Sequence, residues 1–194
     1  RETMLGGVTR RLSTQSDIPV LLGRDTVFDK LKALGIDDPE SFELQNSRRS
    51  PLIEEMIDRL YERLQRRGYT RRDCDRMVKN DRNIFGSLFL EMGHADVMIT
   101  GVTRTYSQTM REVRHVLDPK PGHLPFGIHV MVGKNTTTFL ADTTCNERPS
   151  AEDLAVIAKE TAAMAKRLGH EPRVAFLSYS TFGNPMGKWL DPIR

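Results

Sequence analysis

The chain has 194 residues, 38 % hydrophobic and 28 % charged, an ordinary balance for one large domain or two small lobes. Its 29 Lys and Arg stand against 26 Asp and Glu, and a formal net charge of +3 is no nucleic-acid signature. The two cysteines, Cys74 and Cys145, imply neither a disulfide framework nor a zinc site. No apolar run approaches the roughly 20 residues of a membrane span and no signal peptide is present, so a reducing cytoplasm is expected.

In chain order, PVLLG (19–23) is an apolar run closed by glycine, which predicts a buried strand. A helix is predicted over 26–34, with Gly35 as its stop, and SFELQN (41–46) alternates weakly, as a strand would. Ser50 and Pro51 are a capping hydroxyl and a first-turn proline, so a helix is expected to start there. Its apolar positions, Leu52, Ile53, Met56, Ile57, Leu60, Tyr61 and Leu64, recur at three and four and predict one buried face ending at Gly68. The basic run Arg59, Arg63, Arg66, Arg67, Arg71, Arg72 and Arg76 is interleaved with acids, as on a solvated helix face, although one or two of these arginines could reach a phosphate.

Two further helices are predicted over 70–79 and 82–92. VMIT (97–100) is apolar at consecutive positions and predicts a strand covered on both faces. Residues 105–117 read as helix. FGIHVMV (126–132) and TFLA (138–141), joined by a polar turn, predict an antiparallel hairpin. Pro149 and Ser150 open another helix, with Asp153 placed for a capping box, and Gly169 ends it. RVAFLSYS (173–180) predicts a last buried strand, followed by the start of a helix. Alternating strands and helices predict an α/β fold, a mostly parallel sheet flanked by helices, with one antiparallel hairpin. The expected division is a first lobe over 1–95, a second over 96–185, and the start of a further C-terminal part over 186–194; the chain reads as a fragment of something longer.

Ligands of open parallel sheets collect beyond the carboxyl ends of the strands. Two such ends are unusually polar: Gly101, Val102, Thr103, Arg104, Thr105, Tyr106 and Ser107, and Ser178, Tyr179, Ser180, Thr181, Phe182, Gly183 and Asn184. Glycine, hydroxyls and a following helix N-terminus favour an anion, and Arg104 or Arg111 would pair with it. The competing explanation is that the hydroxyls cap helices and the arginines are solvated. Asp142, with Asn146 nearby, could act as a base or only bond its own turn. The five histidines show no metal-type pair, Ser178 and Ser180 lack the G-x-S-x-G frame, and neither a P-loop nor G-x-G-x-x-G occurs.

The blocks EMGHADVMITGVTRTYSQTMREV, PGHLPFGIHVMV and FLADTTCNERPSAEDLAVIAKETAAMAKRLGHEPRVAFLSYSTFG resemble, in order and spacing, the phosphotransacetylases of the phosphate acetyl/butyryltransferase family. RRGYTRRDCDRMVKNDRNIFGSLFLEMGHAD and ITGVTRTYS resemble most the C-terminal phosphotransacetylase-like domain of hybrid bacterial NADP-dependent malic enzymes. The resemblance implies a phosphotransacetylase-like, isocitrate/isopropylmalate-dehydrogenase-like fold, truncated here at the C-terminus. It implies acetyl transfer between coenzyme A and phosphate, with no metal, or in the hybrid enzymes a domain of little or no activity that binds acetyl-CoA as an effector. NADP and a divalent metal would then belong only to a malic-enzyme domain in cis, outside this chain, and homo-oligomers are expected. Arg111 falls on a family arginine of the phosphate and acyl-CoA site. Arg63 lies nearest a second, whose aligned place holds Leu64. The chain departs from the transferases at Arg104 and Thr105, where they carry a histidine-threonine or similar pair, and at Ser107 and Gln108. The family's catalytic serine, arginine and aspartate lie in a C-terminal segment beyond this chain, so the catalytic residues are unassigned. Ligand-binding candidates are therefore Thr103, Arg104, Thr105, Tyr106, Ser107, Arg111, Ser178, Ser180 and Thr181, with Arg63, Asp142 and Asn146 as secondary ones.

Overall fold

The computed structural model describes residues 19–193 apart from Asp37, Glu40, Ser41, Val102, Tyr179, Thr181, Phe182, Gly183 and Pro185. Two compact units divide at Asp118 and Pro119. This is later than the boundary at 95/96 read from sequence, because the helix after residue 105 packs on the first unit through Glu112 and Asn83.

In the first unit, β1 (Val20–Leu22) and β2 (Glu43–Gln45) pair in parallel, Leu21 opposite Leu44, around the helix α1 (Thr26–Ala33) that crosses between them. A parallel pair needs such a crossover, and here it buries Leu21, Leu31 and Phe42 together. The helical core lies beyond. Helices α2 (Ile53–Leu64), α3 (Arg71–Asn80) and α4 (Arg82–Glu91) contribute Met56, Ile57, Leu60, Leu64, Cys74, Val78, Phe85 and Leu88 to one apolar cluster. The period seen in sequence for α2 is the face it buries. Its regular turns begin at Ile53, three residues after Ser50, whose Oγ accepts the Leu52 N–H. The turn after α2 closes on Gly68 at φ 87°, a left-handed position that a side chain would strain. Thr70 and Asp73 form a capping box at the start of α3, and Asp81 caps α4. Helix α5 (Tyr106–Val113) is shorter than the predicted 105–117, since residues 114–116 turn out of the helix.

The second unit holds the antiparallel hairpin of β3 (Ile128–Val132) and β4 (Thr137–Ala141), with Val130 opposite Phe139. Helix α6 (Ala151–Arg167) follows, and a 3-10 turn (Lys188–Ile193) ends it. Ser150 and Asp153 form the capping box expected of them. Ile157, Ala165 and Leu190 are buried in this unit.

Two predicted strands are corrected. Residues 97–100 carry no ladder, and the run does not have both faces covered: Met98 packs on α4 at Gly86 and Ser87, and Thr100 bonds Asn83, while Val97 and Ile99 are 74 % and 59 % exposed. Residues 173–178 are likewise irregular, with Val174, Phe176 and Leu177 exposed. A strand exists through its neighbour's hydrogen bonds, and neither segment has one among the described residues. The α/β reading itself holds, with a parallel sheet, an antiparallel hairpin and, among the described residues, six α-helices. No helix among the described residues is long and apolar enough to cross a membrane.

Candidate functional site

Arg104 lies between the segment 97–100 and α5, and its partners decide what it can do. Its Nη1 is 2.5 Å from Asp81 Oδ2 and 2.5 Å from Glu112 Oε2. Asp81 uses its other oxygen to accept the N–H groups of Asn83 and Ile84 at the start of α4, at 2.8 and 3.2 Å. The Asn83 amide donates to Glu112 Oε2 at 2.6 Å and accepts from Thr100 Oγ1 at 2.5 Å. Gln108 Nε2 donates to Glu112 Oε1 at 3.1 Å. One cation and two carboxylates thus join the start of α4, the segment at Thr100 and helix α5.

The network is half-buried, with side-chain exposures of 27 % at Arg104, 19 % at Asp81 and 11 % at Glu112. Burial disfavours the Glu112 carboxylate, but hydrogen bonds from Arg104, Asn83 and Gln108 outweigh it and hold its carboxyl below the usual range. Hydrogen bonds to Asp81 and Glu112 raise the Arg104 guanidinium. The formal charges of one guanidinium and two carboxylates sum to one negative charge. Such a cluster fixes the turn that leads into α5; it offers an incoming anion no net positive charge. A carboxylate held ionised by three donors is also a weak base.

The remaining candidates sort by the same test. Thr103, Thr105, Tyr106 and Ser107 are exposed along this turn, and Thr105 caps α5, accepting the Gln108 N–H at 3.4 Å. Arg111 is exposed on α5, and its side chain has no hydrogen-bond or ion-pair partner among the described residues. Arg63 is engaged, donating to the His115 carbonyl at 3.0 Å and pairing with Asp118 at 2.5 Å. In the second unit, Asp142 sits at φ 53° and accepts both the N–H and the side-chain amide of Asn146 at 3.2 and 3.1 Å, the turn-forming alternative seen in sequence. Ser178 Oγ accepts the Ser180 N–H at 3.1 Å; the Ser180 hydroxyl is shielded from solvent and has no partner among the described residues. Thr181 lies outside the described residues. Within the first unit the fold gathers 103–107 and Arg111 on one turn and helix. Within the second it joins Asp142 to Asn146 and Ser178 to Ser180. Asp81, Asn83 and Glu112 were not foreseen. Asp81 carried one local signal, an acid just before a helical run, but its tie to Arg104 spans 23 residues. Among the described residues no group of three or more His, Cys, Asp or Glu could hold a metal ion.

The model of the phosphate acetyl/butaryl transferase family matches residues 2–194. The chain belongs to that family. As a member of it, the chain is 44 % identical over 177 residues to the NADP-dependent malic enzyme of Rhizobium meliloti, a match that covers 90 % of the chain and 23 % of that protein. It is 30 % identical over 184 residues to the phosphate acetyltransferase of Staphylococcus aureus, covering 94 % of the chain and 56 % of the relative. The solved phosphotransacetylase from Streptococcus pyogenes superposes with a TM-score of 0.82 at 28 % identity, over 99 % of this chain and 59 % of that one. The chain therefore spans about a quarter of the malic-enzyme relative and somewhat more than half of the phosphotransacetylases.

Proposed function

We propose that this family member is the phosphotransacetylase-like regulatory domain of an NADP-dependent malic enzyme and binds acetyl-CoA as an effector. The observation that carries this reading is the similarity to NADP-dependent malic enzymes along nine-tenths of the chain, at higher identity than to the phosphate acetyltransferases. Malate oxidation, with NADP and a divalent metal, then belongs to a malic-enzyme domain in cis, and the protein is a cytoplasmic homo-oligomer. Arg111 supplies the charge for a CoA phosphate, and Thr103, Thr105, Tyr106 and Ser107 supply polar contacts beside it. Ser178, Ser180 and Thr181 are the second unit's candidates. Arg104 acts by holding the turn in place, since both its carboxylates are already present.

Calorimetry of the chain with acetyl-CoA tests this. Saturable binding is expected, and at one hundred times the dissociation constant the ligand should stabilise the chain by about 2.7 kcal/mol. No saturable heat and no shift of the melting temperature removes the reading. A second reading, an active phosphate acetyltransferase, is favoured by the position of Arg111 and by the match to the Staphylococcus aureus phosphate acetyltransferase. Acetyl phosphate and CoA, coupled to detection of acetyl-CoA, separate the two. Turnover within roughly 1–10³ per second supports the transferase, and background rates with intact acetyl-CoA binding support the effector domain.

A further inference from the structure

A cleft of about 120 Å³ opens at the carboxyl ends of β1 and β2, bounded by Gly23, Asn46 and the corner between α3 and α4. Its walls are tied together over long sequence distances. Ser47 Oγ donates to the Lys79 carbonyl at 3.0 Å, and Arg48 Nη2 donates to Asn80 Oδ1 at 2.7 Å. Gly23, at one wall, has no room for a side chain: a Cβ there would lie 2.5 Å from Val27 Cγ2.

Its charge is one-sided. Among the lining residues Arg24, Arg48, Lys79 and Arg82 are cationic and none is acidic. Lys79 is neutralised by Asp75 at 2.5 Å. Arg48 bonds only a neutral amide, and Arg24 and Arg82 have no side-chain partner among the described residues. Three uncompensated positive charges therefore converge where open α/β sheets place their ligands. Some arginines elsewhere in this unit are paired with carboxylates, Arg71 with Glu54 and Asp58, Arg59 with Glu55 and Glu91, and Arg104 with Asp81 and Glu112, whereas Arg111 is not among the described residues.

We propose that this cleft is an anion site that takes a phosphate or diphosphate group. Size sets the class. The space is roughly ten times what one water needs, but well below the ~300–1,000 Å³ that encloses a whole drug-sized ligand. The group enters and whatever it is attached to stays outside. It is distinct from the acyl-CoA reading above, sharing none of its residues. Free inorganic anions and nucleotide phosphates offer the same chemistry.

The test is calorimetric titration of the full chain with pyrophosphate, adenosine diphosphate and adenosine, at about 0.05 and 0.2 M salt. Pyrophosphate should saturate and adenosine should not, with weaker pyrophosphate binding at the higher salt because exposed charges are screened. Tighter binding of adenosine diphosphate than of pyrophosphate identifies a nucleotide source; equal binding identifies the anion alone. The double variant Arg24→Ala/Arg82→Ala should bind pyrophosphate at least about tenfold more weakly, as loss of charge-assisted bonds requires. Arg24→Lys/Arg82→Lys should retain much of the affinity. The pair Arg72→Ala/Arg76→Ala, which removes equal charge outside the cleft, should change nothing. Both arginines of the cleft are exposed, so the variants should melt like the wild type. Absence of saturable pyrophosphate binding, or equal weakening by the two alanine pairs, overturns the proposal.

Discussion

Replacing Arg104 by alanine takes the cation out of a cluster that is otherwise two carboxylates and an amide. Asp81 and Glu112 converge on the same guanidinium nitrogen, so its loss leaves two like charges close together. At about 5 Å and an effective dielectric near 20, such a pair repels by roughly 3 kcal/mol. The lost charge-assisted bonds and the rearrangement that follows act together with this repulsion. Breaking a buried pair costs about 3–5 kcal/mol, and the 27 % exposure of Arg104 places this site at the low end, ~3 kcal/mol. For a chain of this size that is a fall in melting temperature of roughly 6–12 °C. The pH dependence isolates the electrostatic part. Glu112 is held below its ordinary value of 4.5 in the folded chain, so the stability it contributes is present above that value and is lost as pH falls through the folded value. The difference between wild type and Arg104→Ala should therefore be largest near pH 7 and shrink as pH falls below about 4.5, where Glu112, no longer held by Arg104, protonates first in the variant. Urea unfolding at pH 7 and at pH 4 measures it. A difference below ~0.5 kcal/mol at pH 7, or one that does not change with pH, would refute the charge argument. Arg71→Ala is the control: its pair with Glu54 and Asp58 is exposed to solvent, so its loss should change stability much less than the loss of Arg104.

Three other substitutions probe the remaining elements. Ser150→Ala removes the hydroxyl that accepts the Asp153 N–H and should cost about 1 kcal/mol, with faster amide exchange in the first turn of α6; Ser150→Asp should recover most of it. Gly86→Val places branched carbon in α4 where a Cβ would already stand 2.8 Å from Leu22 Cδ1 and Met98 Sδ, so overpacking of ~1–3 kcal/mol is expected in thermal melts. Arg111→Ala should weaken acetyl-CoA by about tenfold or more in calorimetry while leaving the melting temperature of the free chain unchanged, because its side chain contributes no described contact.

Local chemistry was legible in the sequence. The apolar spacing of α2 showed its buried face, Ser150 and Asp153 showed their capping box, and the polar turn before Thr137 showed the hairpin. Each of these signals is contained in a few neighbouring residues. The run VMIT was misread because its composition does not say how many faces are covered. Consecutive apolar residues suggest two, whereas the fold half-buries Met98 alone, lets the exposed Thr100 bond Asn83, and leaves Val97 and Ile99 in solvent. RVAFLSYS fails in the same way: its apolar residues qualify it for a strand, but pairing is a property of a second segment. The lobe boundary moved for a related reason, since Glu112 reaches back to Asn83 and draws α5 into the first unit.

The candidate site shows which kind of information a linear chain withholds. Arg63, Arg104 and Arg111 look alike in the sequence, each a cation on or beside a helix. Their difference lies in carboxylates far away along the chain: Asp118 for Arg63, Asp81 and Glu112 for Arg104, and none for Arg111 among the described residues. A cation already matched by acid must break that bond before it can hold a phosphate, and at a half-buried position the exchange gains little. An unmatched cation near the surface has only water to give up. By that measure Arg111 and the cleft of Arg24, Arg48 and Arg82 are better proposals for anion sites in the first unit than Arg104. The arginine that departs from the family pattern then serves the fold: it locks the turn at 103–105 and so sets where Arg111 can stand.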